Sequence, residues 1–69
     1  NNPHARLTSR EAEVLELVAQ SCSNKEIAEK MYISVSTVKN HLASVYDKLG
    51  TNNRRAAVLI ARKNGLVAS

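Results

Sequence analysis

The sequence predicts an all-α fold, a compact four-helix domain that contains a helix-turn-helix. Sixty-nine residues are enough for one modest core and too few for two. Aromatic residues make up only 3% of the chain, with no Trp or Phe, so the core is built from Leu, Val, Ile and Ala, which favours packed helices over a β-sandwich. Four segments also combine apolar residues at helical spacing with capping signals. We predict helices over residues 9–20, 25–31, 35–49 and 54–64.

The first helix begins at a capping-box pattern. Thr8 and Glu11 have the S/T-x-x-E spacing in which each side chain bonds the other's backbone N–H. The apolar residues that follow share one face: Val14, Leu15 and Val18. Glu11 projects along that same side. We therefore interpret it as a structural cap that also meets a basic side chain from another helix, with Lys48 and Arg54 as the alternatives.

The second and third helices have the layout of a helix-turn-helix. Ser23 or Asn24 caps the second helix, and Ser34 offers a new cap only about three residues after its end. Ala28 is small enough to let the two helices cross at close range. Gly50 follows the third helix as its C-terminal stop. The fourth helix follows a cap at Asn52 or Asn53 and ends at a glycine.

Charge is distributed unevenly along the chain. Residues 1–30 hold four Lys or Arg against five Asp or Glu, whereas residues 31–69 hold six against one. A polyanion would therefore dock on the second half. The simpler alternative is that these charges form a solvated face.

The outward face of the third helix is unusual in composition, because it carries small and hydrogen-bonding residues where a solvated helix carries charges. At about 100° per residue, the outward residues are Ser36, Lys39, Asn40, Ala43 and Asp47, flanked by Thr37 and Ser44. In a DNA major groove, hydroxyls and lysine meet phosphates, asparagine reads adenine and alanine contacts a thymine methyl group. An ordinary solvated helix is the alternative.

Three segments also carry a family resemblance. "T-x-R-E-x-E-V-L", "N-K-E-I-A" and "S-x-x-T-V-K-x-H", in this order, resemble the LuxR-type helix-turn-helix of quorum-sensing regulators and NarL/FixJ-like response regulators. The match covers about residues 7–67, so we expect a linker at 1–6 and a LuxR-type domain at 7–69. The resemblance implies a cytoplasmic transcription regulator whose C-terminal output domain binds double-stranded DNA. It further implies an N-terminal receiver or ligand-binding domain, with a two-component response regulator favoured, and RNA polymerase as a further partner.

The resemblance also assigns roles to residues. Lys39 and Asn40 match family positions that reach bases or adjacent phosphates, and Ala43 matches a third that is often longer and basic. The side chain at that third position is therefore short in this chain, and DNA shape contributes a larger share of recognition. The positions that match DNA backbone contacts are Asn24, Lys25, Ser34, Ser36 and Thr37.

The fourth helix presents an outward apolar stripe beside a lysine, at Ala56, Leu59, Ile60 and Lys63. Such a stripe on a small domain indicates a partner surface. The family implies that two copies pair there as a homodimer. The alternative is that an N-terminal domain covers the stripe. If both arrangements occur in alternate states, masking of the fourth helix would act as a switch.

Catalytic and metal sites are not expected. No Ser/His/Asp, Cys/His or paired-carboxylate arrangement shares a plausible cleft, and His41 has no partners at metal-ligand spacing. We therefore predict no enzyme activity, no metal and no cofactor. Cys22 is the sole cysteine, and no membrane span or signal peptide is evident, which favours a cytoplasmic protein with no membrane partner.

Two other functions remain as alternatives. The −35-binding region of bacterial sigma factors has a similar helix pair, but the complete fourth helix with its apolar stripe favours the regulator. A helical protein-interaction module without DNA binding is the second alternative. The basic second half and the polar face of the third helix argue against it.

Overall fold

Four α-helices form the part of the chain that the computed structural model describes, residues 7–67. They are α1 (Ser9–Ala19), α2 (Asn24–Met31), α3 (Val35–Leu49) and α4 (Arg54–Lys63). Every predicted helix is confirmed, with boundaries that differ by at most one residue. The predicted linker at 1–6 lies outside the described residues, as do residues 68–69.

Each helix begins at a side-chain cap. Thr8 Oγ1 accepts the backbone N–H of Glu11 at 3.1 Å, and Glu11 Oε1 accepts that of Thr8 at 2.9 Å, so the predicted capping box is present. Ser23 and Glu26 form a second box at the start of α2, with distances of 3.1 and 2.8 Å. Of the alternatives left open by the sequence, Ser23 rather than Asn24 caps α2 and Asn53 rather than Asn52 caps α4.

The ends of α2 and α3 use left-handed residues. Tyr32 adopts φ 58° and Gly50 adopts φ 76°. The turn at Tyr32 lets the Ile33 N–H donate to the Ala28 carbonyl at 3.0 Å, which satisfies one of the helix's last carbonyls. Residues 32–34 thus suffice to redirect the chain from α2 into α3, the short turn of a helix-turn-helix.

The core has two parts that meet on α1 and α3. The first packs α1, α2 and the N-terminal half of α3 together through Val14, Val18, Ile27, Ala28, Met31, Val38 and Leu42. The second joins α1, the C-terminal half of α3 and α4 through Leu15, Val45, Ala61 and Val67. Ala28 is 6% exposed, as a close crossing of α2 and α3 requires. One face of α3 is therefore packed against the other helices along its whole length.

Candidate nucleic-acid interface

The outward face of α3 is open to solvent along its first three turns. Lys39, Asn40 and Ala43 are exposed, while Val38 and Val45 on the opposite face are completely buried. Within the described part of the chain, neither the Lys39 nor the Asn40 side chain forms a hydrogen bond or an ion pair. Both side chains are thus available to a ligand that α3 approaches lengthwise.

The start of α3 is partly engaged in its own cap. Ser34 Oγ accepts the backbone N–H of Thr37 at 3.1 Å and lies 2.9 Å from Thr37 Oγ1. Ser36 is exposed beside them. The two capping hydroxyls therefore offer only their remaining hydrogen-bonding capacity to an anion at this helix N-terminus, where backbone N–H groups and the helix dipole favour negative charge.

Asn24 is held in a defined orientation by α4. Its Oδ1 accepts a hydrogen bond from Arg54 Nη1 at 2.9 Å, and Arg54 Nη2 donates to the Cys22 carbonyl. Because its carbonyl oxygen is taken, Asn24 retains only its amide NH₂ as a donor for a phosphate. Lys25 next to it is exposed.

Glu11 lies at the centre of a buried polar cluster that fixes α3 to α1. Lys48 Nζ lies 2.5 Å from Glu11 Oε1, and Ser44 Oγ donates to Oε2 at 2.5 Å. Burial alone would raise the pKa of Glu11, but the hydrogen bonds from Lys48, Ser44 and the Thr8 backbone, with the charge of Lys48, lower that pKa to about 2. The carboxylate is therefore ionised and structural, with Lys48 and not Arg54 as its basic partner.

Two sequence expectations on α3 and α4 need refinement. Ser44 does not flank the open face as expected, because its hydroxyl points to Glu11. On α4, Leu59 is 59% exposed and Lys63 is exposed, but Ala56 and Ile60 are half-buried. The predicted apolar stripe is consequently narrower than a helical projection indicates, since the packing of α4 on α1 and α3 covers one of its edges.

Sequence reasoning missed the roles of two residues. The sequence offers Arg54 as a partner for Glu11, but Arg54 donates a hydrogen bond to Asn24, 30 positions away in sequence. Local periodicity cannot reveal such a contact. Tyr32 is the left-handed C-cap of α2 and is 94% exposed, two residues before the Ser34 cap of α3. A large aromatic residue between the apolar positions of α2 and the Ser34 cap was the available signal.

Other kinds of site find little support in the structure. Among residues 7–67, no group of three or more His, Cys, Asp or Glu side chains is placed to hold a metal ion. His41 and the free thiol of Cys22 are both half-buried. None of the helices in that part of the chain is long and apolar enough to cross a membrane.

Comparison with known proteins decides the family. The model of "Bacterial regulatory proteins, luxR family" matches residues 5–61. The chain belongs to the LuxR family. Its four helices also superimpose on solved LuxR-type structures. The transcription factor GerE is similar with a TM-score of 0.84 and 35% identity, over 90% of this chain and 92% of that one.

Several proteins similar to this chain are longer than it is. LiaR of Bacillus subtilis is 43% identical over 94% of this chain and 31% of its own length, and DegU of Brevibacillus brevis is 48% identical over 88% and 26%. The response regulator ChrA of a heme-sensing two-component system has a TM-score of 0.87 and 45% identity, over 93% of this chain and 32% of that one. This chain thus spans about a third or less of these relatives.

Family membership establishes the class of function. The chain is a LuxR-type DNA-binding domain, and the role of such a domain is transcription regulation. The predicted fold, family and non-enzymatic role are therefore confirmed by the comparisons.

Proposed function

We propose that this domain is the C-terminal output domain of a bacterial two-component response regulator and binds specific double-stranded DNA with α3 in the major groove. The observation that carries the proposal is the division of α3 into a buried apolar face and an open polar face without internal partners. Relatives named as response regulators, VraR of Staphylococcus aureus and ChrA, support the two-component setting. An N-terminal receiver domain would then precede this domain in a cytoplasmic protein.

Base recognition would rest on three residues of α3. The amide of Asn40 can form two hydrogen bonds with an adenine, and the ammonium group of Lys39 can meet a guanine edge or the adjacent phosphate. Ala43 can contact only an apolar group such as a thymine methyl. Because the side chain of Ala43 is short, local DNA shape supplies part of the specificity.

Backbone contacts would flank the base contacts on both helices of the helix-turn-helix. The residues with this proposed role are Asn24, Lys25, Ser34, Ser36 and Thr37. Asn24 would act through its amide NH₂, since Arg54 occupies its oxygen. The N-termini of α2 and α3 add backbone N–H donors.

A homodimer would form through α4, with Ala56, Leu59, Ile60 and Lys63 at the contact. The exposure of Leu59 supports this assignment. Two copies related by a two-fold axis would place two α3 helices in successive major grooves. RNA polymerase is the proposed further partner of the DNA-bound dimer.

Selection from a random pool of duplex DNA tests the proposal. The domain is mixed with the pool at two salt concentrations, and bound duplexes are recovered and sequenced. We expect an enriched inverted repeat with half-sites about one helical turn apart. Lys39→Ala with Asn40→Ala should abolish enrichment, whereas Glu13→Gln on the exposed face of α1 should not. Binding without enrichment would contradict sequence-specific recognition.

A further inference from the structure

A groove separates one side of α4 from the C-terminal end of α1 and the loop that leads to α2. Its volume is about 760 Å³. It is distinct from the open face of α3. Six residues define its apolar floor and its basic rim: Val18, Val58, Leu59, Arg54, Arg55 and Arg62.

The rim carries three guanidinium groups without a carboxylate. Arg54 donates to neutral oxygens of Asn24 and Cys22, and Arg62 Nη2 lies 3.4 Å from the Ala19 carbonyl. The Arg55 side chain is exposed and takes part in no hydrogen bond or ion pair within residues 7–67. The ion pairs of that region join Arg10 to Glu13 and Lys48 to Glu11, and these residues do not line the groove. The positive charge of the rim is thus uncompensated.

The floor of the groove is apolar and accessible. Leu59 is 59% exposed and Val58 beside it is half-buried. Burying such surface against a partner is favourable in proportion to its apolar area. A phosphate backbone would pair with the arginines but would leave this floor without an apolar partner. The combination therefore suits a polypeptide rather than DNA.

We propose that this groove is a docking surface for an acidic segment of a partner protein. A large apolar side chain of that segment packs on Val58 and Leu59, and carboxylates on either side pair with Arg55 and Arg62. Arginine suits this task because its planar guanidinium binds a carboxylate through two parallel hydrogen bonds. The proposal does not depend on DNA recognition by α3.

A display library of short random peptides, panned against the 69-residue chain, tests the proposal. We expect enrichment of peptides in which Asp or Glu residues flank a Leu, Ile or Phe. A synthetic peptide of the consensus sequence, labelled for fluorescence anisotropy, should lose at least about tenfold in affinity with the double variant Arg55→Glu/Arg62→Glu. Leu59 is left intact because it also borders the proposed dimer contact.

A matched variant separates this surface from the DNA-binding face. Lys25→Glu/Lys39→Glu makes the same change in net charge on α2 and α3, and it should abolish DNA binding while peptide affinity stays within about twofold. Circular dichroism verifies that each variant is folded. If Arg55→Glu/Arg62→Glu unfolds, the uncharged double variant Arg55→Gln/Arg62→Gln replaces it. This variant should also lower the affinity for the peptide.

Several outcomes would overturn the proposal. One is that the selected peptides share no acidic and apolar consensus. Another is that the affinity for the peptide is unchanged by Arg55→Glu/Arg62→Glu. Displacement of the peptide by a short DNA duplex from the Lys25→Glu/Lys39→Glu variant would reassign the arginines to phosphate. Self-association of the chain, measured by sedimentation and lost with Arg55→Glu/Arg62→Glu, would make a second copy the occupant.

Discussion

Glu11 connects the start of α1 to the second half of α3 through three partners. Its two oxygens accept hydrogen bonds from the Thr8 backbone, Ser44 and Lys48, and the residue is only 6% exposed. A buried carboxylate with such partners stabilises the fold only while it is ionised.

Stability should fall in acid because of Glu11. Its pKa is about 2 in the folded chain and 4.5 ordinarily, so its contribution is complete above about pH 4.5 and is lost as the pH falls toward 2. Glu11→Gln should lower the free energy of unfolding near neutral pH by about 3 kcal/mol. Urea unfolding measured across this pH range tests both statements.

Glu13→Gln is the matched control on the same helix. Its ion pair with Arg10 spans 3.8 Å between side chains that are more than half exposed. Such surface pairs contribute about 0.5 kcal/mol or less. The free energy of unfolding of Glu13→Gln should have the same pH dependence as that of the unmodified chain. If Glu11→Gln kept the same loss of stability in acid, Glu11 would not be its source.

Asn40 and Lys39 should differ in their effect on DNA binding, on the hypothesis that Asn40 reads a base and Lys39 mainly meets phosphate. Asn40→Ala should relax preference at one position of the operator, at a cost of about 1–3 kcal/mol for the preferred base. Lys39→Ala should weaken binding to all sequences and reduce the salt dependence. Titration of each variant against the selected operator and single-base variants distinguishes the two. Equal losses on every sequence with Asn40→Ala would exclude direct base recognition.

Among the helices, α4 carries the largest excess of positive charge. It carries four basic residues and no acidic one in ten positions: Arg54, Arg55, Arg62 and Lys63. Two copies of such a helix repel each other unless apolar contact or DNA offsets their charge. Two copies of the domain should therefore form the proposed homodimer only weakly in the absence of DNA.

Leu59→Glu should abolish the dimer on DNA. The change places a charge where apolar contact between two α4 helices is proposed, and burying it there is unfavourable. Analytical ultracentrifugation with an operator duplex should give one bound protein where the unmodified chain gives two. Ser9→Glu, which adds the same charge at an exposed position of α1, is the control. Intact dimeric binding with Leu59→Glu would remove α4 from the contact.

The helices themselves were predictable because their signals are local. Capping spacing at Thr8 and Glu11, apolar periodicity and the glycine after α3 all act within a few residues. At the start of α2, the S-x-x-E spacing of Ser23 and Glu26 was a local signal for Ser23 as the cap, although asparagine caps equally well by residue type. In the structure Ser23 and Glu26 form that capping box, while Asn24 accepts a hydrogen bond from Arg54.

At the scale of the molecule, positive charge is concentrated in the second half of the chain, where α4 alone carries four basic residues. The net charge is +4, and residues 31–69 hold six of the ten Lys and Arg. A protein that neutralises phosphates releases counterions from DNA, and this release makes affinity sensitive to salt.

DNA affinity should therefore fall steeply with salt. The logarithm of the binding constant should decrease by about 0.9 for each phosphate contacted, per unit of the logarithm of salt concentration. Fluorescence anisotropy with the selected operator over a salt series measures this slope. Lys25→Ala should make the slope shallower by about 0.9, the value for one phosphate contact. A slope near zero would contradict a phosphate-dominated interface.

The number, order and bounds of the helices, the open face of α3 and the family follow from the residue order, since each depends on local spacing and on motifs. The contacts of Glu11 with Lys48 and Ser44, the hydrogen bond from Arg54 to Asn24 and the groove beside α4 follow only from the tertiary structure. These hydrogen bonds join residues 30 or more positions apart. Periodicity indicates which face of a helix is buried, whereas the packing of helices against one another determines which side chains meet.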